Sequence, residues 1–153
     1  MPDQKQVDEE IRHALTEIRM VLPGAQALLG FQFITLVLQE FEKLPQSMKI
    51  VHLLSLSMTT LAVILLMTPA AYHRIVENGE NTERFHRFTG RMMMISLVPL
   101  ALGITGDFYV VVWKVSSSNL LAGVCTIVLL VFIFAAWFGL PVYRRMRLMK
   151  AAR

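Results

Sequence analysis

The sequence predicts an all-α fold, a four-helix transmembrane bundle preceded by an N-terminal amphipathic helix on the cytoplasmic side. Three observations predict it. The 153 residues are 55% hydrophobic, with a mean hydropathy of +0.54, too apolar for an ordinary soluble domain. Charged residues are swept into clusters separated by runs at 20–39, 50–73, 92–113 (interrupted by Asp107) and 120–143, each of 20 to 24 residues. A helix rising about 1.5 Å per residue needs roughly 20 residues to cross a hydrocarbon core about 30 Å thick. Backbone amides in lipid must be satisfied within their own segment, so these runs read as helices and not as lone strands.

Residues 1–19 are polar and acidic, unlike a cleavable signal, which opens basic and turns apolar. Val7, Ile11, Leu15 and Ile18 recur at helical spacing among charged neighbours, which predicts an amphipathic helix lying at the surface or running into the first span. The first span opens at Leu22-Pro23-Gly24, and Gly24, Ala27 and Gly30 recur every three residues, a face that lets another helix approach closely. Gln32 and Gln39, seven apart, share one face and suit hydrogen bonds to a neighbouring helix. In the second span His52, Ser55 and Thr59 make one polar stripe, and Pro69 is placed to bend or stop the helix near Tyr72. Asn78-Gly79 supplies a turn, and Asn81 or Thr82 can cap the helix that follows. In the third span Ser96, Pro99, Gly103, Gly106 and Asp107 project to one side, a docking surface of small residues ending in a carboxylate. The fourth span carries no charge; Trp137 and Tyr143 near one end, and Tyr109 and Trp113 near the end of the third, fit interfacial aromatics. Residues 144–153 form a short basic tail.

With four spans, both tails and the central connection share one side. Of the 15 lysines and arginines, Lys43, Lys49 and Lys114 fall on the opposite side and all others on the shared one. The positive-inside rule therefore predicts cytoplasmic termini. The net charge of +4 then reads as an anchor to anionic inner-leaflet lipid, with Arg84, Arg87, Arg91, Arg144 and Arg145 reaching phosphates. Nucleic acid is not an expected partner, since no folded basic module with aromatics is present.

Two constellations carry candidate chemistry. Asp107 lies about 9 Å inside the third span by helical rise, where a charge must be paired, hydrated or protonated. His52 lies near the same end of the antiparallel second span, so a His52–Asp107 contact is expected, either a hydrogen bond fixing helix register or a proton relay. The second is a repeated tripeptide, Tyr72-His73-Arg74 and Phe85-His86-Arg87. It fits an aromatic and basic belt, or two axial ligands of a haem through His73 and His86. No other metal is expected. The sequence contains no phosphate-cradling glycine loop, HExxH, GxSxG or CxxC, and the single Cys125 sits in an apolar stretch. No catalytic residues are assigned and an enzyme is not expected.

Residues 17–33 (EIRMVLPGAQALLGFQF) and 65–76 (LLMTPAAYHRIV) resemble a family of small four-span bacterial membrane proteins of unknown function. The likeness rests on an E-[IL]-R lead, a G-x-Q-x-L first span and a P-x-A-Y-H-R end to the second. It falls on Glu17, Arg19, Gly24, Gln26, Pro69, Ala71, Tyr72, His73 and Arg74, roughly the first half of the chain. The resemblance implies a bacterial inner-membrane setting and supplies no activity. It draws attention to Arg19, Gln26, Tyr72, His73 and Arg74, with His86, as one cytoplasmic-side constellation in which Tyr72 or Gln26 bonds Arg19 or Arg74. The resulting expectation is a non-enzymatic membrane protein that associates with copies of itself or with a larger membrane complex. An oligomeric proton or ion conductor built around Gln32, Gln39, His52 and Asp107 is the alternative, and a b-type haem carrier the third.

Overall fold

The computed structural model of the protein describes residues 4–76 and 82–151. The Asn78-Gly79 turn and Asn81 lie outside the described residues. The elements are α1 (Gln4–Val37), a short α2 (Gln39–Glu42), α3 (Gln46–Ile75), α4 (Glu83–Ser116), α5 (Asn119–Phe134), a π-helical turn (Ala135–Gly139) and α6 (Leu140–Ala151). The fold is an all-α four-helix bundle. Four stretches are long and apolar enough to cross a membrane: Glu9–Val37, Gln46–Ile75, Glu83–Ser116 and Asn119–Lys150.

The N-terminal amphipathic segment is no separate element. It is about the first half of α1, which runs through Pro23 without ending. At 34 residues the helix is about 50 Å long, well beyond the thickness of a hydrocarbon core. From Ile11 on, its apolar stripe is covered by protein: Ile11 is 1% exposed and packs with Phe85, itself 0% exposed, with Leu15 and Tyr72 alongside. Pro69 also fails to stop its helix; α3 continues to Ile75 with Pro69 buried inside it.

The principal seam joins α3 to α4. On α3 the buried residues His52, Ser55, Leu56, Thr59, Ala62, Val63, Leu66 and Pro69 recur every three or four positions, one continuous stripe. Facing them on α4 are Ser96, Pro99, Leu100, Gly103 and their neighbours. The small-residue face of the third span is thus spent inside the chain. A Cβ on Gly103 would overlap the Thr59 hydroxyl and lie 3.1 Å from both the Ser55 carbonyl oxygen and the Thr59 amide nitrogen. A Cβ on Gly106 would overlap Ser55 Oγ. Only glycine lets the backbones come this close. The hydroxyls in the seam do not need partners across it, because Ser55 donates to the Val51 carbonyl, Thr59 to Ser55 and Thr105 to Ala101 within their own helices. Hydroxyls satisfied in this way can be buried in an apolar bundle at little cost.

A central apolar cluster of Ala25, Ala62, Val63, Leu66 and Leu100 brings α1 onto this seam. Trp137 packs against that cluster from the π-helical turn. The rest of the fourth helix is peripheral: Ala122 and Ile133 are the buried residues of α5, while Val124, Ile127, Val128, Val131 and Phe132 point outward. Such an apolar exterior suits lipid or another apolar helix.

The connection between α4 and α5 is two serines, Ser117 and Ser118. Ser117 caps α4 in the left-handed region at φ 52°, its amide donating to the Trp113 carbonyl. The Ser118 hydroxyl accepts from the Leu121 amide and starts α5. A side chain at positive φ is strained, so Ser117→Gly should raise stability by about 1 kcal/mol, read as a shifted unfolding midpoint in mixed detergent micelles.

Candidate functional site

Three helices contribute to one buried polar group at the end of the bundle away from the termini. From α1 comes Gln32 (2% exposed), from α3 His52 (4%) and from α4 Asp107, whose side chain is 20% exposed. The Gln32 side-chain amide donates to Asp107 Oδ2. His52 Nδ1 stands 3.0 Å from Asp107 Oδ1, and His52 Nε2 lies 3.2 Å from the backbone carbonyl oxygen of Gln32. Phe41, just after the α1 helix, sets its ring edge-to-face on His52 at 5.3 Å between centroids. The site closes because Gly103 and Gly106, in the turn before Asp107, bring α4 against Ser55 and Thr59, one and two turns beyond His52.

Two acceptors in the site have unused capacity. Gln32 Oε1 is buried with no hydrogen-bond partner among the described residues, and Asp107 Oδ1 has no well-directed donor although His52 Nδ1 is close. Buried polar atoms in this state are uncommon and mark places where a proton, water or ligand group belongs.

Ser55 and Thr59 lie along the same stripe, as helix packing residues with self-satisfied hydroxyls. Gln39 does not join them. Helix α1 ends at Val37, Leu38 is extended (φ −80°, ψ 135°), and the seven-residue register with Gln32 is broken, leaving Gln39 exposed at the start of α2. Phe41 and the Gln32 carbonyl escape sequence reasoning: no pattern marks an aromatic beyond a helix end as a lid, and a backbone acceptor has no signature at all.

Beside the site on the surface, Glu40 accepts from Lys43 Nζ at 2.6 Å and faces Lys114 Nζ at 3.5 Å, tying the first connection to the end of α4. The hydrogen bond from Lys43, then the charges of Lys43 and Lys114, hold the Glu40 carboxyl below its ordinary value. A depressed folded value means the stabilisation is present above the ordinary glutamate range and is lost as pH falls through the folded value. Solvent screening keeps it small. Lys43→Ala should move the Glu40 titration midpoint, followed by carboxyl 13C shifts, back up toward that of free glutamate.

The constellation expected at the termini end is not assembled as one group. Tyr72 stacks on Phe88 at 4.4 Å between centroids, and His73 packs on Phe85 at 4.6 Å. His86 Nε2 is turned to Glu10 on α1 at 3.8 Å. Arg19, Gln26 and Arg74 are exposed, and among the described residues no hydrogen bond links Tyr72 or Gln26 to either arginine. The reason is the wheel of α1: Ala25 and Gln32 face the bundle, which turns Gln26 outward. Thr82 caps α4 by accepting from the Phe85 amide. Arg84, Arg87 and Arg91 are exposed along α4, Arg87 pairing with Glu83 at 3.5 Å. Arg144 and Arg145 are exposed on α6, where the Arg147 guanidinium sits 5.1 Å over the Tyr143 ring. Among the described residues no cluster of three His, Cys, Asp or Glu side chains could hold a metal ion.

No curated protein and no solved structure matches this chain. A family of unknown function, DUF6328, matches residues 2–141. That match spans nearly the whole chain, with three of the four apolar stretches and most of the fourth, and the protein belongs to this family.

Proposed function

We propose that the chain is a non-enzymatic protein of the bacterial inner membrane, termini in the cytoplasm, that works by lateral association with copies of itself or as a subunit of a larger membrane complex. The outward face of α1 carries this reading. Gly24 and Gly30 have open space where a Cβ would stand. Ala27 is exposed between them, and the exposed amide of Gln26 finds no hydrogen bond among the described residues. By helical rise Gln26 is about 10 Å deeper than Arg19. A primary amide facing lipid at that depth is costly, and a second helix offering a donor and an acceptor removes the cost. The arginines at the termini end suit an anionic leaflet.

The test is purification in mild detergent with mass determination. The reading expects particles well above one chain of 17.4 kDa, reduced to that mass by Ala27→Leu with Gly30→Leu while helix content is unchanged. Wild-type protein that is monomeric in mild detergent and in nanodiscs, without stoichiometric partners, contradicts it.

The buried His52–Asp107–Gln32 group favours a second reading, a proton or ion conductor. Its polar atoms are enclosed among three helices of one chain and do not face a common oligomer axis, so any path would run through each protomer. Liposome flux that is abolished by Asp107→Asn would support it. A haem carrier is the weakest reading, because the fully buried Phe85 ring fills the space beside His73 and His86 turns toward Glu10. Purified protein without a Soret band removes it.

A further inference from the structure

We propose that His52 and Asp107 form a proton-binding site, one proton being shared by the imidazole and the carboxylate across the α3–α4 seam. The inference is a count of hydrogens. His52 Nε2 lies 3.2 Å from the Gln32 carbonyl oxygen, which has no hydrogen to give, so Nε2 carries one. In a neutral ring Nδ1 is then a bare lone pair. It stands 3.0 Å from Asp107 Oδ1. An ionised carboxylate there would set two lone pairs against each other, with Oδ2 already occupied by the Gln32 amide. One further proton resolves the contact, as imidazolium with carboxylate or as imidazole with carboxylic acid. The two forms hold the same number of protons and leave the pair neutral, so the proton belongs to the pair and not to either residue. Without it a single negative charge remains inside the bundle, the least favourable state in a poorly solvated site.

No neighbouring charge substitutes for the proton. Lys49, one turn before His52, donates to the Glu42 carbonyl, and Lys114, two turns beyond Asp107, faces Glu40. Among the described residues Gln32 supplies the only direct side-chain and carbonyl bonds from α1 to this end of α3 and α4. The α3–α4 seam is independent of them, since Ser55 and Thr59 are satisfied within α3 and pack on Gly103 and Gly106. Loss of the proton therefore leaves both Gln32 bonds in place and sets a bare Nδ1 on α3 beside a charged oxygen on α4. Gln32 is a positioning residue that fixes Oδ2 and so aims Oδ1 at the ring.

The test is NMR of the full chain in lipid nanodiscs with 15N-histidine and 13C-aspartate labels, His52 being assigned by its loss in His52→Gln. The expected result near neutral pH is a doubly protonated His52 ring beside an ionised Asp107, or a ring protonated at Nε2 beside a protonated Asp107. A ring protonated only at Nε2 beside an ionised carboxylate overturns the proposal. Asp107→Asn supplies a second readout, because its amide donates to Nδ1 and its oxygen accepts from Gln32, a fixed copy of the protonated state. Raising the pH until the pair loses its proton should lower the unfolding midpoint of the parent in mixed micelles more than that of Asp107→Asn. Midpoints of parent and Asp107→Asn that run in parallel through loss of the proton overturn the proposal.

Discussion

Gly103→Ala is expected to cost about 2–3 kcal/mol, at the upper end for overpacking a close interface. The added Cβ would overlap the Thr59 hydroxyl and stand 3.1 Å from two backbone atoms of α3. A hydroxyl can turn away or be removed; backbone atoms cannot. Thr59→Ala should therefore rescue Gly103→Ala only in part. Gly106→Ala meets mainly the Ser55 hydroxyl, with the Ser55 Cβ at 3.2 Å, so Ser55→Ala should rescue most of its loss. Unfolding midpoints in mixed micelles read both double variants. Equal rescue of the two glycines would mean that the α3 backbone does not lie as close to Gly103 as described.

Asp107→Leu is expected to cost about 3–5 kcal/mol, the usual penalty for removing one partner of a buried pair. The change leaves the Gln32 amide and His52 Nδ1 facing an apolar side chain in a site where both are buried. Gln32→Leu should be costly in the parent and nearly neutral once Asp107 is leucine, because its main acceptor is already gone. A double-mutant cycle measures that coupling. Additive losses would show that Gln32 and Asp107 act separately.

Much of this architecture is legible in the residues, for reasons that can be named. Charge is so costly in hydrocarbon that its absence over 20–24 residues marks each crossing. The pairing of His52 with Asp107 follows from depth alone, since antiparallel neighbours set equal depths side by side. Gln32 is legible as an inward polar residue, but its choice of partner depends on the rotation of α1, which sequence does not give. Gln39 misleads because the extended backbone at Leu38 interrupts the helix, and Leu38 is an ordinary helix former with no breaker beside it. Proline is ambiguous, since it can bend a helix without ending it: Pro23 and Pro69 are both carried inside helices. The face of Ser96, Pro99, Gly103 and Gly106 shows that a helix packs closely there. Whether that helix comes from the same chain or another copy is fixed by connectivity: a connection of fewer than ten residues from Val76 to Glu83 makes α3 the nearest partner.

The central claim is that lipid is the solvent for the outer faces of the four helices, with the polar group of Gln32, His52 and Asp107 held inside the bundle. Washing membranes with alkaline carbonate before ultracentrifugation tests that premise most directly. The account predicts that the whole protein stays in the pellet and is released only by detergent. Protein recovered in the supernatant without detergent would contradict it.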